Sequence, residues 1–219
     1  MSSKSKTFKT GDFKNWERFF RANFFNSLGG YKSLNLMATV DEKGKSNLAP
    51  FFSVQHIGAN PPLLSIIFRP LTVERHSLEN FRNTGFATLN SVHSEILEAA
   101  HQSSAKYDRS VSEFEAVGLS EDHLNFPVPF VKESRLKIGI KHQMEQIIEL
   151  NDTILVIASI EEVHVQEDSL LEDGLIDQSS MDNLTVNGLD SYYRPQPFKR
   201  FSYARPDQPL KELKWEKKH

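Results

Sequence analysis

The sequence predicts a mainly β chain with inserted helices, closed or partly closed into an antiparallel barrel, and three observations carry that expectation. Strand-like runs rich in Val, Ile, Leu, Phe and Thr follow one another along most of the chain. Helix-like runs stand between only some of them, without the strict strand–helix alternation of a doubly wound sheet. Turn residues punctuate the runs: DEKGK after SLNLMATV, GANPP before LLSIIFR, and NTG before FATLNSV.

The bulk numbers set limits. A chain of 219 residues, 38% hydrophobic and 25% charged, suits one domain able to bury a core without covalent staples. Residues 1–12 are expected as a flexible leader and 13–219 as a single domain ending in an irregular tail. Cysteine is absent, which excludes disulfides, thiolate metal sites and cysteine nucleophiles. A net charge of −3 offers no overall attraction to nucleic acid or an anionic membrane. The longest apolar run, PPLLSIIF, is too short to span a bilayer. Charges in NWERFFRANFFNSL interrupt what would be a signal-peptide core, so no targeting segment is assigned and a cytoplasmic protein is expected.

Taken in order, Trp16, Phe19, Phe20, Phe24 and Leu28 recur at helical spacing, predicting an amphipathic helix over 15–28 that ends at Gly29-Gly30. Its aromatic face is expected on a core or a partner subunit, ahead of a membrane surface. SLNLMATV and SNLAPFFSVQHI form a hairpin-like pair across Asp41-Glu42-Lys43-Gly44. LLSIIFR reads as a buried strand. A helix over 78–82, with Ser77 as N-cap and Asn83-Thr84-Gly85 as its stop, precedes the strand FATLNSV. A second helix is expected over 94–105 with Ser94 as N-cap, then a polar loop over 106–129. Two late strands follow, at 135–141 and 153–165.

No motif announces chemistry by itself. Walker, G-x-G-x-x-G, G-x-S-x-G and H-E-x-x-H patterns are all missing. The eight histidines have no metal-ligand spacing, and no carboxylate pair stands out, so neither catalytic nor metal-binding residues are assigned. Arg75-His76-Ser77 is the one suggestive cluster. A plain helix cap with two solvated neighbours accounts for it; so does a phosphate seat, because a helix N-terminus presents unpaired N–H groups and arginine adds a forked, permanent cation.

The succession GKSNLAPFFSV, ANPPLLSI, RHSLENFRNTGFATLN and AAHQSSAKYDRSVSEFEAVGL resembles the flavin reductase-like family of FMN-binding split barrels. Tyr107, Glu113-Phe114 and Gly118-Leu119 carry much of that resemblance, which runs from about Leu36 to Val165, with weaker agreement at Gly188 and Tyr192. It implies a six-stranded split β-barrel that forms a homodimer, with one FMN near each subunit boundary. It also implies hydride transfer from NAD(P)H, as co-substrate, to flavin, and possible use of the reduced flavin by a partner enzyme. Members commonly have Lys-Asp-Thr where this chain has Arg75-His76-Ser77, which keeps a cation and a hydroxyl and loses the acid. A cysteine common in a later strand is Gly139 here.

Carried over by position, the resemblance places flavin along Asn47, Ala49, Pro50, Phe51, Phe52 and Ser53, mainly through backbone groups. Its phosphate lies by Arg75, His76 and Ser77; Arg69 either helps there or pairs with a surface carboxylate, and Asn90 is either a ring contact or a strand-end residue. Phe51 and Phe52 point to opposite faces, so one is expected in the core. Tyr107, Glu113 and Phe114 form a lid over the nicotinamide, or Phe114 anchors the loop. A non-enzymatic FMN-binding electron carrier, flavin store or sensor is the alternative, and a barrel without flavin serving as an interaction module is the third reading.

Overall fold

Alternating polarity pairs seven strands into one antiparallel sheet in the computed structural model, which describes residues 5–72 and 75–217. The strands are β1 (Asn35–Val40), β2 (Ser46–Phe51), β3 (Val54–Ala59), β4 (Pro62–Phe68), β5 (Phe86–Ser91), β6 (Leu136–Ile148) and β7 (Thr153–Val165). Their order across the sheet is β2-β1-β5-β6-β7-β4-β3. The two edge strands, β2 and β3, are joined by Phe52 and Ser53 alone. Three Cα steps reach at most about 11 Å, whereas opposite edges of a flat seven-stranded sheet lie about 29 Å apart. The sheet must therefore roll up, and because no ladder joins β2 to β3 the barrel stays split. Taken as one strand bent at Phe52-Ser53, β2 and β3 bring the count to the expected six.

The roll creates two apolar clusters on opposite faces of β1. Met37 faces inward with Leu64, Ile66, Phe68, Leu89, Ile140 and Val156, all buried. Leu36 and Ala38 face outward, with Leu48 of β2, onto Val92, Ile96 and Phe114. LLSIIFR, expected as a buried strand, is buried on one face: Leu64, Ile66 and Phe68 are buried while Ile67 is 39% exposed.

Four of the described α-helices are longer than one turn. Helix α1 (Arg18–Ser27) is shorter than expected because Glu17 caps it, its carboxylate accepting from the N–H groups of Phe19 and Phe20 at 2.8 and 3.0 Å. None of its residues is buried, so its aromatic face does not pack on the core. Helix α2 (His76–Thr84) plugs the barrel with Leu78 and Phe81, both fully buried. It stops where Gly85 takes φ 78° and its N–H closes on Phe81 O, which is the stop the sequence predicts. Helices α3 (Leu97–Gln102) and α4 (Glu113–Val117) pack outside, α4 arising within the segment expected as loop.

Ser94 is not an N-cap. It opens a 3₁₀ turn, and its N–H and hydroxyl both donate to Asp182, whose carboxylate takes over the capping from a distant loop. Strand β6 runs on to Ile148, past the expected end at 141, because β7 offers a continuous partner. The tail adds a small sheet, Thr185–Asn187 between Lys32–Ser33 and Ser191–Tyr193. Of the expected leader, residues 1–4 lie outside the described residues, and Thr10–Phe13 forms a helical turn. Among the described residues no helix is long and apolar enough to cross a membrane.

Candidate functional site

The first turn of α2 and the edge strand β2 meet at one bond. Asn47 Nδ2 donates to Ser77 Oγ across 3.0 Å, with both residues buried. Ser77 therefore sits inside the helix and ties it to β2; Arg75 takes the cap position, its carbonyl accepting from the N–H groups of Leu78 and Glu79 at 3.0 Å each. The Ser77 hydroxyl accepts from Asn47 and still has its own hydrogen to donate. Arg75 is half-buried, its Nε is enclosed without a hydrogen-bond partner, and among the described residues no carboxylate pairs with it.

Beside this junction lies a small, open cleft lined by the expected residues Asn47, His76 and Glu113 and by Lys45, Asn80 and Arg109, which the sequence does not single out. Lys45 Nζ donates to the Arg109 carbonyl at 2.5 Å, and the Arg109 guanidinium spans both oxygens of Glu79 at 3.2 Å. The cations raise the local potential. Asp108 nearby is held below the usual carboxylate range first by the Ser110 hydroxyl and N–H, then by the charges of Lys45 and His76. Asp41 is lowered in the same direction, first by the N–H of Lys45.

The expected lid divides. Glu113 is buried in the cleft wall, and its Oε2 accepts the Leu48 N–H at 3.2 Å. Phe114 is 1% exposed in the outer cluster, so its ring anchors α4. Tyr107 stands half-buried on the α3 side, its hydroxyl accepting from Gln102 Nε2 at 3.3 Å.

The backbone of β2 is only partly available. The Leu48 N–H leaves the sheet to reach Glu113, so by antiparallel alternation Pro50 also points outward while Ala49 and Phe51 turn their N–H and C=O groups to β1. The Pro50 carbonyl is thus open, and the expected backbone contacts at Ala49 and Phe51 are spent in the ladder. Both phenylalanines pack, on opposite faces: Phe51 edge-on to Phe68 at 5.0 Å, and Phe52 against the outer cluster with Lys32 Nζ 6.0 Å from its ring centre. Ser53 locks the barrel seam, its hydroxyl donating to Ile67 O at 2.7 Å.

Burial separates two further candidates. Asn90 is fully buried: Nδ2 donates to Leu36 O and Thr88 Oγ1, and Oδ1 accepts the Val131 N–H at 2.9 Å, so its amide ties three segments of the barrel together. Arg69 is exposed, with no paired carboxylate among the described residues. It lies near Lys32, whose amine is held below its usual value by burial first and by the Arg69 charge second.

Residues 28–185 match the family model for the flavin reductase like domain. The chain belongs to the flavin reductase-like family. A flavin reductase-like protein with a split barrel domain from Shewanella frigidimarina is 44% identical, with a TM-score of 0.88, over 91% of this chain and 100% of that one. Nitrilotriacetate monooxygenase component B from Bacillus cereus shares the fold at 18% identity and TM-score 0.76, covering 90% of this chain and 98% of that one. The FMN-binding protein from Thermus thermophilus does so at 15% and 0.64, covering 90% and 98%. The match spans every barrel strand and all of α2, so the Arg75–Ser77 junction lies within the family domain.

Proposed function

We propose that this flavin reductase-like chain binds FMN, as a homodimer, and passes hydride from NADH or NADPH to the flavin. The observation that carries the reading is Arg75: a half-buried guanidinium at the start of α2, with an enclosed, unpartnered Nε and no carboxylate to neutralise it among the described residues. A cation left in that state calls for an anion, and it stands at the start of α2, two residues before the Ser77 hydroxyl. A flavin mononucleotide phosphate fits that donor set.

Arg75 and Ser77 would hold the phosphate, Asn47 would orient the Ser77 hydroxyl, and the open Pro50 carbonyl would accept from the ring's polar edge. Bound flavin supplies hydride acceptance, and such transfer needs stacked rings with little acid–base help. The protein's work is then to bind, orient and shield, which accounts for the missing triad or dyad. Glu113, through the Leu48 N–H, would hold β2 in register for that task.

The deciding experiment is the visible spectrum of the purified protein during FMN titration, then anaerobic addition of NADH and of NADPH. Saturable FMN uptake followed by bleaching supports the reading. A protein that takes up no FMN overturns it, and uptake without bleaching by either nucleotide moves the assignment to a flavin-binding electron carrier or store.

A further inference from the structure

Three side chains that line the cleft beside Ser77 are more than nine-tenths buried and carry acceptor oxygens: Glu113 and Asn47, each 8% exposed, and Asn80 at 3%. Each has one polar atom tied to the fold. Glu113 Oε2 accepts the Leu48 N–H at 3.2 Å, Asn47 Nδ2 donates to Ser77 Oγ at 3.0 Å, and Asn80 Nδ2 donates to Thr39 Oγ1 at 3.2 Å. The remaining oxygens, Glu113 Oε1, Asn47 Oδ1 and Asn80 Oδ1, accept no hydrogen bond among the described residues, and none of the three is enclosed. Buried residues whose acceptors are left open in this way call for hydrogen-bond donors.

Charge narrows what those donors belong to. The Arg109 guanidinium already spans Glu79, and Lys45 donates to the Arg109 carbonyl while its charge acts on Asp108. Glu113 makes no ion pair among the described residues. A second phosphate in the cleft would meet the Glu113 carboxylate, and a further cation would meet Lys45 and Arg109. Neutral hydroxyls avoid both conflicts, and a pentose presents several side by side.

We propose that this cleft is a sugar subsite, in which Glu113 Oε1 accepts from a hydroxyl of a nucleotide's pentose, with the Asn47 and Asn80 oxygens beside it. The inference rests on the flavin reading and extends it: Ser77 and Arg75 hold the phosphate, and the neighbouring hydroxyls fall to the cleft. Two pentoses share this chemistry, the ribityl chain of the flavin and a ribose of the nicotinamide dinucleotide.

Glu113→Gln separates the subsite from the scaffold. Its amide oxygen can still accept the Leu48 N–H, while its NH2 puts a donor where the open acceptor stood. Wild type and E113Q are titrated with riboflavin and with lumiflavin, which has a methyl group in place of the ribityl chain, and the FMN-loaded proteins are assayed with NADH. Riboflavin bound about tenfold more weakly by E113Q, with lumiflavin unchanged, assigns the ribityl chain. Unchanged flavins, with a KM for NADH raised about tenfold at the wild-type kcat, assign the ribose. Asn80→Ala leaves the Glu113–Leu48 bond in place and should reproduce the same pattern at about fivefold; it decides the matter should E113Q not fold. Riboflavin affinity and NADH kinetics that match wild type overturn the proposal. So does a loss shared equally by riboflavin and lumiflavin, which would mean that Glu113 acts only through β2. A wild type that takes up no flavin overturns the flavin reading as well, whereas an E113Q that matches a flavin-binding wild type overturns the subsite alone.

Discussion

The side-chain amide of Asn47 and the hydroxyl of Ser77 meet at 3.0 Å, and this one bond joins the barrel edge to the helix that plugs the barrel. Both groups are buried, so each would be stranded by loss of the other. Ser77→Ala is expected to remove a phosphate donor and orphan the Asn47 amide, costing about 1–3 kcal/mol in stability and weakening FMN binding. Ser77→Thr restores the hydroxyl and should recover most of the affinity. FMN titration followed by flavin fluorescence quenching checks both, and equal affinity in the Ala variant would remove Ser77 from the site.

Arg75→Ala tests the cation by itself. The guanidinium is only half-buried and makes no ion pair among the described residues, so the folded state loses little when it goes. FMN affinity should fall by about 1–3 kcal/mol, the loss expected when a charge-assisted bond is removed. Riboflavin, which lacks the phosphate, should bind both proteins alike. Unchanged FMN affinity would refute the phosphate assignment, and an equal loss for riboflavin would place Arg75 against the ring system.

The barrel was legible where the signal is local. Met37, Leu64, Ile66 and Leu89 alternate with neighbours of the other face, and Gly85 stops α2 by a backbone conformation that glycine favours. What stayed hidden depends on closure. Ser94 reads as its own N-cap until Asp182 arrives from 88 residues away, and Asn90 reads as a strand-end residue until Val131 uses its carbonyl. The cleft is hidden for the same reason: Lys45, Asn80 and Arg109 come from a turn, a helix and a loop that share no spacing. Pairing direction along β2, which decides that Pro50 faces out and Ala49 faces in, is set by the partner strand and leaves no mark in composition.

Phe126 occupies the space a side chain at position 139 would need. A Cβ built on Gly139 would lie 2.8 Å from Phe126 Cε2 and Cζ, inside any tolerated contact. That ring is also held edge-on by Phe86 at 5.7 Å and beside Phe130 at 5.6 Å. Gly139→Ala should therefore destabilise the fold by about 1–2 kcal/mol through overpacking, read as a lower urea midpoint. Adding Phe126→Leu, which frees ring volume, should make the Ala substitution nearly neutral. A Gly139→Ala cost that is the same in both backgrounds would show that the strain lies elsewhere.

Arg82 in the last turn of α2 grips Glu145 of β6 through two bonds of 2.8 Å, Nε to one oxygen and NH2 to the other. His142 Nε2 stands 3.5 Å from the same carboxylate. The Arg82 hydrogen bond, chiefly, holds the Glu145 carboxyl below its usual range. A folded-state pKa below the unfolded one stabilises the fold fully above the unfolded value, and that stability is lost as pH falls through the window between the two. The pair is about one-third exposed, so its worth is about 0.5–1 kcal/mol, at the upper end for surface pairs because the grip is bidentate. Glu145→Gln should thus be less stable than wild type at pH 7, with the gap beginning to close below about pH 4.3 and nearly gone once the carboxylate is protonated. Urea midpoints for both proteins across that range give the answer. A gap that stays constant down to the most acidic point would mean the Arg82 contact acts through packing and not through charge.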